Sequence, residues 1–183
     1  MTLNDHLSEF YTKYNIPAKG GIDEKTFIVP LPFFNLSLPN LSWRKKMLYI
    51  HDLEHILNQQ DVSWKGEMFI ASWEISTGFW RSFPIILFAL WTMGWGLWKH
   101  PSAVYKGFKK GHFSYGIAGL NIEKENLLAM NLTQLRTNTQ RNRSKISILF
   151  MNLRFISWLI VGQFIFLFPL ILLIIITLIC FQF

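Results

Sequence analysis

The residues of this chain that could do chemistry are concentrated in the segment HDLEH at positions 51–55, followed after eleven residues by Glu67. Side chains four positions apart lie on one face of a helix, about 5–6 Å apart at Cβ. His51 and His55 can therefore chelate one ion through their ring nitrogens. Asp52 borders the same face and can be either a third ligand or a hydrogen-bonding partner that orients an imidazole. The segment thus predicts a divalent-metal site.

Glu67 supplies a carboxylate that complements the two histidines. It falls near the start of a second predicted helix, and a helix–turn–helix hairpin would fold that helix back toward the pair. Such ligands, with one coordination position left open, suit zinc first and also iron, manganese or magnesium as a Lewis acid. The predicted metal ligands are His51, Asp52, His55 and Glu67. We assign no catalytic residue, and we expect Glu54 to be solvated. Glu74, seven residues after Glu67, falls on the same helix face and could support a metal ligand, but by itself it is expected to be solvated.

Three other interpretations of this segment stay open. An isolated pair of histidines four apart is often only a polar helix face. The same letters spell HxxEH, the inverted zinc-peptidase signature, in which Glu54 would be the general base. That class would need a distant third ligand, such as Glu123 or Glu125, and a large α+β scaffold for which the chain shows neither strands nor length. An adjacent His-Asp also occurs in metal phosphohydrolases, which need further histidines and aspartates.

The elements that must position these residues are helices. Ser42 is a candidate N-cap for a helix from Trp43 to about Leu57, and Ser63 can cap a second helix that runs to about Arg81. The residues between them, 58–62, are polar and form a turn. The two helices therefore place the histidine pair and Glu67 on either side of one short connection.

The remaining chain is also predicted to be mainly helical. Prolines and glycines between positions 17 and 39 preclude a long helix there, and no convincing pair of strands is evident. A further, basic helix is predicted over 103–111, and a Gly-rich link over 111–119 leads to the segment 123–136 and then to the tail. The predicted fold class is all-α, a helical metal-binding domain with a C-terminal transmembrane helix.

The C-terminus has the composition of a membrane segment. Residues 155–183 contain no charge, and about 20 apolar residues suffice for a helix to cross a bilayer. Pro169 interrupts this run, but membrane helices tolerate a kink. A shorter apolar run, 82–98, is marginal for a span, and we expect it to be interfacial or part of the core. The predicted organisation is a domain over 1–140, a basic linker over 141–154 and a transmembrane tail over 155–183.

Charge is distributed unevenly along the chain, whose formal net charge is +7. Residues 1–125 hold 13 basic and 11 acidic residues (13 − 11 = +2), whereas residues 126–183 hold five basic residues and no acid. Basic residues just before an apolar helix follow the positive-inside rule and attract anionic lipid. We therefore expect membrane lipid and not nucleic acid as a partner, with the domain on the cytoplasmic face. The single cysteine, Cys180, excludes a disulfide framework, and the absence of a signal-like start favours a bacterial inner membrane.

The segment HDLEH with Glu67 resembles the HDxxH-x11-E signature of the coenzyme Q (ubiquinone) biosynthesis protein 4 family. The turn 61–67, which ends in Gly-Glu, is similar to the same family pattern. The basic helix 103–111 with its paired glycines and the segment 127–136 resemble later parts of it. The resemblance covers about residues 5–140, and the apolar tail departs from the usual family pattern.

This resemblance implies an all-helical, membrane-associated domain with a long prenyl chain in a hydrophobic channel beside the metal. The implied metal ligands are His51, Asp52, His55 and Glu67. It implies a role in ubiquinone biosynthesis, either as a metal-dependent enzyme of lyase type that oxidatively decarboxylates ring carbon 1, or as a non-enzymatic scaffold that presents lipid to other ubiquinone-biosynthesis enzymes. The expected ligand is a prenylated quinone precursor whose isoprenoid lies against Phe79, Trp80 and residues 85–98. A zinc peptidase is the second alternative.

Overall fold

The computed structural model describes residues 1–31, 34–78, 83, 85–142 and 147–180. In chain order its elements are α1 (Leu3–Lys13), β1 (Thr26–Pro30), β2 (Asn35–Pro39), α2 (Ser42–Asn58), α3 (Trp64–Thr77), α4 (Ile85–Lys99), α5 (Pro101–His112), α6 (Lys124–Ala129), α7 (Leu132–Thr139) and α8 (Ser147–Cys180). Short 3₁₀ turns lie at Ala18–Gly21 and Ile117–Leu120. The predicted all-α class is confirmed, because the chain is mostly helical.

The chain divides into two compact units. The first contains residues 1–59 and 121–138, and the second contains residues 60–120 and 139–183. The first unit therefore holds the segment with the histidine pair, and the second holds Glu67 and the long apolar helix.

In the first unit, α1 is fixed at its start by a capping box. The Asp5 amide donates to the Thr2 hydroxyl over 3.2 Å, and the Thr2 amide donates to the Asp5 carboxylate over 2.8 Å. The hydrogen bonds that the Asp5 carboxylate accepts, first from the Thr2 backbone amide and second from the Thr2 side chain, favour its charged form and lower the pKa of Asp5. One face of α1 is buried through Leu3, Leu7 and Phe10, as expected of an amphipathic helix.

The first unit also contains a strand pair that the sequence analysis did not anticipate. β1 and β2 are antiparallel, with Phe27 opposite Leu38 and Val29 opposite Leu36. Side chains alternate between half-buried and exposed along β1, which is the period of two that marks a strand. Prolines at both ends of the pair lower strand propensity, which is why the expectation of no strands was wrong. The Arg44 guanidinium lies 3.8 Å from the Phe27 ring centroid and so joins the hairpin to α2.

In the second unit, α3 and α5 pack with their backbones close together. A Cβ atom at Gly107 would meet the backbone carbonyl oxygen of Phe69, and one at Gly111 would lie 2.6 Å from the carbonyl oxygen of Trp73. Glycine is therefore required at both positions of α5. Because Gly78 follows in the left-handed conformation (φ 99°), α3 ends at Thr77, earlier than predicted.

The second unit pairs α4 with α8 through two glycines and a glutamine. A Cβ atom at Gly94 would meet the backbone carbonyl of Gly162. The Gln163 amide donates to the Gly94 carbonyl oxygen over 2.6 Å, and the Trp98 indole donates to the Gln163 side-chain oxygen over 2.9 Å. Small residues at the crossing and a polar side chain bonded between helices are typical of helix pairs in membranes.

The C-terminal helix α8 is long and apolar enough, by length and composition, to cross a membrane over Ile148–Cys180. It begins at Ser147, eight residues before the tail that the sequence analysis delimited at position 155. At 15 residues, α4 spans about 22 Å, which is short of the about 30 Å hydrocarbon layer. The segment 123–136 contains the separate helices α6 and the start of α7, because Met130 is extended (ψ 159°) between them.

Candidate metal site

The two histidines of α2 meet through their ring nitrogens. His51 Nε2 and His55 Nε2 lie 3.3 Å apart, and the two ring centroids are 4.9 Å apart. His55 is buried and its ring lies 5.9 Å from that of Phe10, whereas His51 is half-buried. Two imidazole nitrogens bound at about 2.0–2.1 Å to one tetrahedral ion are about 3.3–3.4 Å apart. The spacing of this pair therefore fits a chelated divalent ion.

Asp52 points away from that pair toward α1. Its carboxylate accepts a hydrogen bond of 2.9 Å from the Tyr11 hydroxyl. Gly20, in the left-handed conformation (φ 76°), approaches so closely that a Cβ atom there would lie 2.9 Å from the same carboxylate oxygen. His51, Asp52 and His55 do not converge as three donors within the described part of α2. Asp52 as a metal ligand stays a prediction, and its observed contact is with Tyr11.

The environment of the Tyr11 hydroxyl favours its protonated form. Burial disfavours the phenolate, and the neighbouring Asp52 charge and the hydrogen bond to it act in the same direction. All three raise the pKa of Tyr11 above its ordinary value. Tyr11 is thus held as a hydrogen-bond donor to Asp52 throughout the physiological pH range.

Glu54 differs from its predicted exposure to solvent. It is fully buried and not solvated as expected, and it offers a carboxylate oxygen within 4.8 Å of a ring nitrogen of His51. Asn58, also buried, donates from its side-chain amide to the backbone carbonyl of Glu54 over 2.9 Å. Together with His55 these residues occupy positions i, i+3, i+4 and i+7, which form one stripe on a helix. That spacing was the available signal for a buried polar face.

On α3, two carboxylates lie seven residues apart. Glu67 is half-buried in the first turn, which is capped by the Ser63 hydroxyl accepting from the Gly66 amide over 3.3 Å. Glu74 is buried at 3% exposure, so the expectation that it is solvated was also wrong. Among the described residues, candidate metal-binding side chains of the first unit are His51, Glu54 and His55 on α2, and those of the second unit are Glu67 and Glu74 on α3.

The apolar residues expected to bind a prenyl chain are described in part. Phe79 and Trp80 lie outside the described residues. In α4, the Trp95 ring packs on Trp91, with centroids 5.5 Å apart, and on Trp64 of α3, with centroids 4.4 Å apart. Two tryptophans of the predicted prenyl surface, Trp91 and Trp95, therefore pack on each other within the second unit.

Comparison of the chain with protein-family models, with curated proteins and with solved structures finds no significant match. The described residues nevertheless provide two observations that bear on function. One is the histidine pair at metal-chelating distance, and the other is the apolar helix α8.

Proposed function

We propose that this protein is a membrane-anchored, metal-dependent protein of ubiquinone biosynthesis that binds a prenylated quinone precursor. The observation that carries the proposal is the 3.3 Å separation of the two Nε2 atoms of His51 and His55. The family resemblance of the HDLEH segment supplies the substrate class. The length and apolarity of α8 supply the anchor.

In this proposal, Glu67 completes the ligand set begun by the two histidines. α2 ends at Asn58 and α3 begins at Trp64, so only five residues connect the helices. Connections this short are typical of antiparallel neighbouring helices. His51, His55 and Glu67 would supply two nitrogens and one oxygen, a ligand set that would leave a bound ion able to accept a substrate oxygen.

The bound metal, zinc in the first instance, would act as a Lewis acid toward the carboxylate or phenolate of a prenylated benzoate. The protein's own groups hold and orient that site. His55 is buried against Phe10, which restricts its ring, and Asp52 is fixed by Tyr11 one residue after His51. Through this bond Asp52 helps to orient, in this proposal, the helix segment that carries the histidine pair.

The membrane position follows from α8 and from charge. An isoprenoid tail partitions into the bilayer, so a site that handles such a molecule benefits from being held at the membrane surface. In this proposal the preceding domain lies on the cytoplasmic side of a bacterial inner membrane. The five basic residues between positions 126 and 183, all at or before Arg154, favour that orientation under the positive-inside rule.

The test of the reaction is direct. Detergent-solubilised full-length protein is incubated with a prenylated hydroxybenzoate, dioxygen as oxidant, and Zn²⁺, Fe²⁺ or Mn²⁺, and loss of the ring carboxyl is followed by mass spectrometry. We expect turnover that depends on metal and falls by at least about 100-fold in His55→Ala, because ligand loss commonly removes the ion. His6→Ala, on α1, is the matched control and should retain full activity.

The other outcomes separate the alternatives. Bound but unchanged lipid, released together with the metal by a chelator, would replace the enzyme with a lipid-presenting scaffold. A peptidase of the HxxEH class predicts that Glu54→Gln is the inactivating change, whereas the proposed site predicts that Glu67→Gln is. A protein that binds neither metal nor prenylated lipid would contradict both forms of the proposal.

A further inference from the structure

The net positive charge of the chain comes from only one of its two units. Residues 1–59 and 121–138 contain eight basic and eight acidic residues, a balance of 8 − 8 = 0. Residues 60–120 and 139–183 contain ten basic and three acidic residues, so that 10 − 3 = +7. The unit that carries the apolar helix α8 therefore carries the entire net positive charge.

Within that unit, α5 separates a buried apolar face from an exposed basic one. Its buried residues are Ala103, Val104, Gly107, Phe108, Gly111 and His112. Lys106, Lys109 and Lys110 are exposed on the opposite side, and we call these three residues the lysine face. A basic amphipathic helix of this kind is typical of elements that lie at a membrane surface.

Contacts with α8 fix the position of α5 along the apolar helix. The Phe155 ring lies 5.4 Å from the Tyr105 ring and 5.2 Å from the Phe108 ring, measured between centroids. The Tyr105 hydroxyl donates to the Asn152 side-chain oxygen over 3.3 Å. Lys109 is four residues after Tyr105 and so lies on the side of α5 that neighbours α8.

The same point on α8 is where its charged residues end. Arg154 is the last charged residue of the sequence, and the 26 residues from Phe155 to Cys180 form an uncharged helix about 39 Å long. The hydrocarbon layer of a bilayer is about 30 Å thick. If this helix crosses a bilayer, the lipid headgroups on one side therefore lie near Arg154. The contacts of Phe155 place α5 at the same depth.

We infer that the lysine face of α5 binds the anionic headgroups of phospholipids at the membrane surface beside α8. The inference rests on the membrane anchoring in the proposed function and is independent of the metal. Each basic residue near an anionic membrane surface is worth about fivefold in partitioning. Tyr105 lies beside these lysines and has an apolar ring with a polar hydroxyl. Tyrosine is enriched at the interface between membrane and water.

The experiment measures energy transfer from the protein's tryptophans to dansyl-labelled phosphatidylglycerol or phosphatidylcholine in mixed micelles of full-length protein. We expect the apparent Kd for phosphatidylglycerol to be at least about tenfold lower, because two to three lysines face the headgroup. Lys106→Glu with Lys109→Glu should abolish that preference. The same preference should shrink as sodium chloride is raised, because exposed charges are screened by salt.

A matched double variant controls for net charge. Lys25→Glu with Lys46→Glu makes the same change at two exposed lysines of the first unit and should leave the preference intact. Equal affinity of the unmodified protein for the two lipids would overturn the inference, as would an undiminished preference in the α5 variant. A third result would also overturn it: inorganic phosphate removes the lipid preference, whereas sodium chloride of equal ionic strength does not. That result would indicate a site for free phosphate. Protein that resists carbonate extraction yet shows no preference fails this inference alone, and the proposed anchor then stands.

Discussion

At the scale of single residues, one hydroxyl group determines where the Asp52 carboxylate points. Tyr11 donates to Asp52 from α1, across 41 positions of sequence, and Gly20 closes over the same oxygen. The neighbouring His51 is thereby placed on a segment of α2 that α1 holds at its side. The helix segment that carries the histidine pair is thus tied to α1 by the bond from Tyr11 to Asp52.

Removing the Tyr11 hydroxyl should destabilise the first unit. Tyr11→Phe deletes a hydrogen bond to a buried carboxylate, and bonds to charged groups contribute about 1.5–3 kcal/mol. We expect a loss of that size in the free energy of unfolding, measured by denaturant titration in detergent. Tyr14→Phe, three residues along the same helix, is the control and should change it by less than about 0.5 kcal/mol. Equal losses in the two variants would contradict the importance of the Asp52 contact.

The same contact predicts a dependence of stability on alkaline pH. The pKa of Tyr11 is raised in the folded state from the ordinary 10.0, so above that pH the unfolded chain ionises while the folded chain keeps its proton. Stability is therefore complete below pH 10 and decreases as the pH rises further. Thermal unfolding is measured from about pH 8 to about pH 11, which brackets the ordinary tyrosine pKa of about 10. The unfolding temperature should decrease less steeply with pH in Tyr11→Phe than in the unmodified protein. Identical profiles in the two proteins would contradict this cause.

Part of the site could be predicted at this scale. The histidine spacing was sufficient to place two ring nitrogens together, because a helix brings positions i and i+4 into contact. The buried positions of Glu54 and Glu74 were missed because carboxylates are almost never fully buried unless paired. The Tyr11 contact was missed because its partner is distant in sequence, and local patterns carry no information about such pairs.

At the scale of elements, glycine determines how closely α5 approaches α3. The Gly107 and Gly111 positions, one turn apart, face backbone carbonyls of α3. Backbone atoms cannot move aside as the end of a flexible side chain can. The two helices therefore form a contact that tolerates no added side chain.

Adding one methyl group at this contact should be costly. In Gly107→Ala the new Cβ would meet the Phe69 carbonyl oxygen, and overpacking of this kind costs about 1–3 kcal/mol, more than the about 1 kcal/mol that alanine gains in a helix. Unfolding in detergent should show a net loss of stability. Gly119→Ala, where nothing lies within 4 Å of the added atom, should be neutral or nearly so. A more stable Gly107→Ala protein would contradict the packing of these helices.

Elements were predicted well where capping signals were present. α3 follows its predicted N-cap Ser63, whose hydroxyl accepts from the Gly66 amide. The start of α2 was predicted to within one residue, but Ser42 is its first helical residue and not its cap, because Leu41 holds the N-cap position without a side-chain hydrogen bond. The hairpin of β1 and β2 was missed because its prolines mask the alternating pattern. The boundary between α6 and α7 carries no local sequence signal, because Met130 is an ordinary helix former that is extended at this position.

At the scale of the whole molecule, apolarity and positive charge belong to the same unit. The unit with α8 carries the full net charge of +7, and its charged residues end where the uncharged helix begins at Phe155. Composition predicted the apolar helix, since 26 uncharged residues in α8 exceed the length needed to cross a bilayer. It did not predict that the helix begins at Ser147 and packs on α4 and α5, because those contacts join segments far apart in sequence.

Shortening α8 tests its role as an anchor. A chain that ends at Phe168 keeps 14 uncharged residues after Arg154, a helix of about 21 Å, which is too short for the hydrocarbon layer. We expect the full chain to resist carbonate extraction from membranes and the shortened chain to be released. A chain that ends at Cys180 is the control and should remain bound. Equal retention of the Phe168 and Cys180 chains would contradict anchoring by α8.

The central claim is that His51 and His55 chelate a divalent metal, and the metal-to-protein ratio of the purified full-length protein tests it most directly. Elemental analysis should give about one ion per chain, retained in His6→Ala and lost in His55→Ala. Circular dichroism should show the same helix content in all three proteins, which separates ligand loss from unfolding. A purified protein without stoichiometric metal, or a folded His55→Ala protein that keeps its ion, would contradict the account.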